Sequence, residues 1–173
     1  MTPRLDKAVL AGVLGLTLYT GLIVWWRGAW TTIALLNTAF YLLLLANSYF
    51  SITFTEAVYK VRCASDGLLS SVLVIGYLLL PWTVDRARWF YLLMALFFCL
   101  AVLKYANWLS RLEANFFLRR KIMANTCGAA ECLLTTAALA WFEAELTVVS
   151  VAVALYAYGN LHTLLIDPLY RER

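Results

Sequence analysis

The stretch AVLAGVLGLTLYTGLIVWW, residues 8–26, decides the fold: nineteen consecutive positions carry no charge, and the run closes on Trp25-Trp26 before Arg27. At ~1.5 Å per residue in a helix, such a run reaches across the ~30 Å hydrocarbon core of a bilayer. Arg4 and Lys7 ahead of it resemble the front of a signal peptide. A cleavable signal has a shorter apolar core and ends in small residues, so this run reads as a retained first span. Five similar stretches follow, near 30–50, 67–84, 89–109, 122–142 and 146–166.

Composition points the same way. The chain is 64% hydrophobic and 14% charged, with a mean hydropathy of +0.78, whereas a soluble domain is roughly half apolar and about a quarter charged. Six helices of about twenty residues use ~120 positions. The remainder is too short for a separate catalytic, dinucleotide-binding or nucleic-acid-binding domain, and no nucleic-acid partner is expected. Barrel strands would alternate in and out over about ten residues, a pattern absent here. The expectation is therefore an all-α polytopic integral membrane protein, one transmembrane domain over residues 1–173, with the lipid bilayer as its first partner.

The turns at Arg27-Gly28-Ala29, Asp85-Arg86-Ala87-Arg88 and Glu143-Ala144-Glu145 are short, and the other connections are longer. The six spans thus group as three consecutive hairpins. An even number of spans puts both termini on one side, together with the segments around 56–66 and 110–121. That side holds eleven of the fourteen Lys and Arg; Arg27, Arg86 and Arg88 are on the other. The positive-inside rule makes the richer side cytoplasmic, and a plasma or inner membrane is the expected location. Trp25, Trp26, Trp30, Trp82, Trp89 and Trp141 fall at the outer turns and Trp108 near the inner face, as indole anchors at headgroup depth would.

After each even-numbered span an acid, an aromatic and an arginine recur at steps of three: Glu56, Tyr59, Arg62; Glu113, Phe116, Arg119; Asp167, Tyr170, Arg173. Positions three apart are neighbours on a helix surface, so each triad forms a cytoplasmic collar. Three hairpins inserted in the same direction would form a pseudo-threefold tandem repeat about the membrane normal.

Polar groups inside the spans define the candidate site. Glu131 lies ten residues beyond Lys121, or ~15 Å, near mid-membrane. A carboxylate at that depth faces other helices or a wet cavity, finds a partner, or keeps its proton. Ala124, Cys127, Gly128, Thr135 and Ala138 give it a small-residue stripe that favours close helix contact. His162 is the sole histidine, with Asn160 beside it, and one histidine is a weak signal for proton relay. Lys104 is expected to snorkel to the headgroups without a counter-ion. Asn107, Asn125 and Asn160 share the inner half, while Asn37 is in the outer half. The expected ion or substrate pathway is thus a polar recess in the cytoplasmic half, involving Glu131, Asn107, Asn160, His162, Asn37 and Lys104.

The four cysteines have no paired C-x-x-C spacing and read as small apolar side chains. One histidine cannot supply a haem axial pair, and no ligand spacing points to a metal, so no cofactor or metal is expected. H-E-x-x-H and G-x-S-x-G are absent, which disfavours an enzyme. Three functions follow in order: a small transporter or channel for an ion or solute, a non-enzymatic subunit or scaffold that oligomerises or binds a membrane partner, and a lipid-modifying enzyme.

Overall fold

The computed structural model describes residues 7–58, 64–111 and 116–166. Those residues are almost wholly helical: α1 Lys7–Trp26, α2 Thr32–Val58, α3 Ala64–Leu79, α4 Ala87–Leu109, α5 Phe116–Trp141 and α6 Glu145–Leu161. A 3₁₀ turn, Leu80–Thr83, extends α3, and a π turn, His162–Ile166, extends α6. Six helical segments are long and apolar enough to cross a membrane. The bundle leaves Leu18, Leu22, Leu68, Leu103, Leu134 and Leu155 exposed on its outer faces. So much contiguous apolar surface is unusual for a soluble monomer and fits a multi-pass membrane protein.

The helix ends follow from local chemistry. Gly28 takes φ +61°, a conformation costly for residues with a Cβ. It closes α1 in a Schellman turn: the Ala29 amide donates to the Val24 carbonyl at 3.0 Å and the Gly28 amide to Trp25 at 3.1 Å. The Thr31 hydroxyl then accepts from the Ala34 amide at 3.2 Å, capping α2. Pro81 begins the tighter turn that ends α3.

Helix α4 is central. It packs most extensively on α5 and also on α3, while α2 packs on α1 and α6, and α5 on α6. The close α4 contacts depend on two glycines. A Cβ at Gly76 of α3 would stand 3.0 Å from the Phe97 ring, and one at Gly128 of α5 would stand 3.1 Å from the Phe98 ring. Consecutive α4 aromatics therefore seat on opposite neighbours, each over a position with no side chain.

One end of the bundle is pinned. Arg27 forms a two-point pair with Asp85, at 2.7 and 3.0 Å, and donates to the Trp82 carbonyl. The Trp82 indole donates to Tyr19 at 2.6 Å, Arg88 donates to the Leu139 carbonyl at 2.8 Å, and Asn37 donates to the Val84 carbonyl at 2.8 Å. These bonds bring the 27–31 turn, the 80–86 turn and the end of α5 together. Of the expected collars, Tyr59, Arg62, Glu113, Asp167, Tyr170 and Arg173 lie outside the described residues. Glu56 lies in α2, and Phe116 and Arg119 are exposed at the start of α5.

Candidate functional site

At the opposite end, four helices turn polar faces toward one another. On α2, Leu44, Asn47, Ser48, Ser51 and Ile52 recur at steps of three and four and form one stripe. Ser70, Leu73, Val74 and Tyr77 do the same on α3, Phe97, Phe98, Ala101, Lys104 and Tyr105 on α4, and Lys121 and Asn125 on α5. Between them lies a cavity of about 250 Å³.

Hydrogen bonds hold its wall in shape. The Ser51 and Tyr105 hydroxyls meet at 2.6 Å across α2 and α4. The Tyr77 hydroxyl donates to Ser48, and the Tyr41 hydroxyl donates to the Tyr77 carbonyl at 2.8 Å, joining α2 to α3. Lys104 donates to the Ser70 hydroxyl at 2.8 Å and stands 3.7 Å from Asp66. The Trp108 indole donates to the same carboxylate at 2.9 Å, and the Lys104 ammonium lies 5.2 Å from the Trp108 ring centre. Lys104 does not snorkel alone, as the sequence suggested. A residue thirty-eight positions away in the chain supplies its counter-charge. Lys121 is only 4% exposed, and among its contacts is a 3.3 Å hydrogen bond to Asn47 Oδ1.

Toward the pinned end the cavity is capped by aromatic packing. Phe40 stacks on Tyr156 with ring centres 3.9 Å apart, and edge contacts join Phe40 to Phe90 and Tyr91. Phe98 reaches Tyr156 at 5.9 Å, and Met94 is fully buried in the same core.

Of the expected pathway residues, Lys104 lines the cavity. Asn37 is fully buried at the pinned end. Asn160 is buried on α6 and donates to the Tyr156 carbonyl one turn back at 2.9 Å. Asn107 is half-buried on α4, its carbonyl accepting from Ser110. His162 is half-buried at the end of α6 with its ring 6.2 Å from Tyr158. Glu131 is half-buried at the edge of the α5 face, and its Oε1 atom is enclosed with no hydrogen-bond partner among the described residues. It lies one turn past Gly128, where Phe98 seats, and is not part of the cavity wall.

Lys121, Tyr77, Tyr105 and the three serines are wall residues that do not stand out as isolated polar groups in the sequence. Their signal was present in the spacings Asn47-Ser48-Ser51, Lys104-Tyr105 and Lys121-x-x-x-Asn125. Among the described residues no three His, Cys, Asp or Glu side chains come together. The wall offers ammonium, amide and hydroxyl groups, a set suited to ligands rich in hydrogen-bond acceptors. Comparison with protein-family models, curated proteins and solved structures finds no match for the chain.

Proposed function

We propose that the protein is a small multi-pass transporter of a cell membrane, with both termini cytoplasmic, that holds its solute in the cavity between α2, α3, α4 and α5. The observation that carries this reading is a cavity with two lysines and several hydroxyls inside an otherwise apolar bundle. Ionisable groups at membrane depth are costly and mark pathways or binding sites. A channel needs a continuous polar route, and the Phe40, Tyr156 and Phe98 layer interrupts one, so a carrier fits better than a pore. Glu131, just past the Phe98–Gly128 contact, is then the proton-sensitive group on the far side of that layer.

The test is a single cysteine at the cavity wall, Ser48→Cys, in a chain whose four native cysteines are replaced by serine or alanine. A membrane-impermeant maleimide is applied to sealed vesicles of each orientation. A transporter exposes the site alternately, so reaction from both faces is expected. Reaction from one face only overturns transport and favours the non-enzymatic subunit, a reading supported by the close aromatic packing around Phe40, Tyr91 and Tyr156.

A further inference from the structure

We infer that α3 is the moving wall of the cavity, hinged near Tyr77–Pro81 and held shut at its other end by a latch of Asp66 and Ser70 on Lys104 and Trp108. The inference rests on the reading of the cavity as the solute site and names what controls entry to it.

Helix α3 is held in two different ways along its length. Near its end, Pro81 has no amide to donate to the Tyr77 carbonyl four residues back, and the Tyr41 hydroxyl of α2 supplies that bond at 2.8 Å. The Tyr19 hydroxyl of α1 donates to the Leu78 carbonyl at 3.2 Å. Leu80, Pro81 and Val84 are buried just beyond, and Gly76 lies against the Phe97 ring of α4. Three helices thus grip this end. A proline interrupts the backbone ladder at the same place, where a hinge is expected.

From Asp66 to Ile75 the grip is thin. Leu73 is the sole buried residue of that stretch, and a Cβ at Gly67 would meet nothing within 4 Å. Among the described residues, its side-chain bonds to other helices all end on α4. The Lys104 ammonium donates to Ser70 at 2.8 Å and stands 3.7 Å from Asp66, while the Trp108 indole donates to Asp66 at 2.9 Å. Ser70 is the first α3 residue on the cavity wall, and Lys104 and Tyr105 are the last from α4. The latch therefore lies across the basic end of the cavity. Both of its charged side chains are 18% exposed, and partly solvated pairs of this kind are weak enough to open.

Tyr77 is eleven residues past Asp66. At ~16 Å along the helix, a tilt of about 20° carries Asp66 on the order of 5 Å away from α4. Such a tilt widens the cavity at Ser70 and leaves its far wall at Tyr77 in place.

Paired spin labels measure the tilt by pulsed dipolar spectroscopy, in nanodiscs, on the full chain with its native cysteines replaced. Leu68→Cys with Met123→Cys reports the latch end, and Leu79→Cys with Leu134→Cys reports the hinge end; all four native side chains are exposed. Asp66→Asn is expected to add a population longer by on the order of 5 Å between 68 and 123, and to leave the 79–134 distance as it was. Asp66→Glu, which keeps the charge, should stay close to the native distribution. In sealed vesicles, Asp66→Asn should speed the reaction of Ser48→Cys with impermeant maleimide at least tenfold from the face at the Lys104 end.

An unchanged 68–123 distance in Asp66→Asn overturns the latch. Lengthening of both pairs overturns the hinge, because α3 then comes away as a whole. Asp66→Glu as open as Asp66→Asn overturns the role of the charge, and lengthening without faster labelling overturns control of entry. If the latch fails while Ser48→Cys still reacts from both faces, the transporter reading stands. If Ser48→Cys reacts from one face only while Asp66→Asn lengthens the 68–123 distance, transport falls and α3 still gates the cavity, so the two failures are distinguishable.

Discussion

Gly128→Ala tests the contact on which the central helix pair depends. The new methyl group would stand 3.1, 3.1 and 3.2 Å from three atoms of the Phe98 ring, while carbon atoms rest at about 3.5–4.0 Å. The ring must retreat by a few tenths of an ångström. Phe98 is buried, with Phe97 on one side and Tyr156 on the other, and its free direction is into the cavity it lines. Overpacking of this kind costs about 1–3 kcal/mol, and the better helix propensity of alanine returns up to ~1 kcal/mol. The expected net loss is on the order of 1 kcal/mol, read by equilibrium unfolding in mixed micelles. In a Phe98→Ala background the same substitution should be neutral or mildly stabilising, giving a coupling energy of at least ~1 kcal/mol in a double-mutant cycle. Ligand affinity should fall with Gly128→Ala as well, because the displaced ring enters the cavity. Gly159→Ala, where nothing lies within 4 Å of the added atom, should not destabilise. Stabilisation by Gly128→Ala with Phe98 intact, or an identical penalty in both backgrounds, would refute this account of α4–α5 packing.

Asn37→Ala should destabilise by about 1–3 kcal/mol, because the Val84 carbonyl loses its buried donor; the same unfolding assay reads it. Arg27→Gln should cost no more than about 1 kcal/mol, as expected for a partly exposed pair, and limited proteolysis should show faster cleavage in the 80–86 turn. Glu131→Gln keeps the side-chain volume and removes a carboxylate whose Oε1 has no hydrogen-bond partner among the described residues, so stability should hold or rise slightly. Labelling by a hydrophobic carbodiimide should disappear in that variant, and any proton dependence of transport should disappear with it.

The six helices were legible because uncharged runs of about twenty residues have few alternatives, and Gly28 marked its turn by being the residue that tolerates a left-handed backbone. The site was legible only in outline. A polar recess in the basic half was expected and a polar cavity lies there, yet only Lys104 of the six named pathway residues is on its wall. By charge count Lys121 belongs with the headgroups, yet its side chain is buried and bonds Asn47 of α2. The pairings Asp66 to Lys104 and Ser51 to Tyr105 join distant parts of the chain, and no local pattern announces such contacts. Rare residues such as His162 and Glu131 stand out in a sequence, whereas the polar part of the wall is built mainly from serines, tyrosines, asparagines and lysines at helical spacing among apolar residues.

The Arg27, Trp82, Arg88 and Asn37 bonds gather one end of the bundle, while the cavity separates the helices at the other. Such an assembly behaves as tongs with a fulcrum at the tryptophan-rich end. Small rotations there become wide excursions at the lysine-rich jaws, so on the proposed transporter reading that side would open at little cost. Delivery across the far face would then have to loosen the fulcrum itself, and that step would set the pace of the proposed cycle.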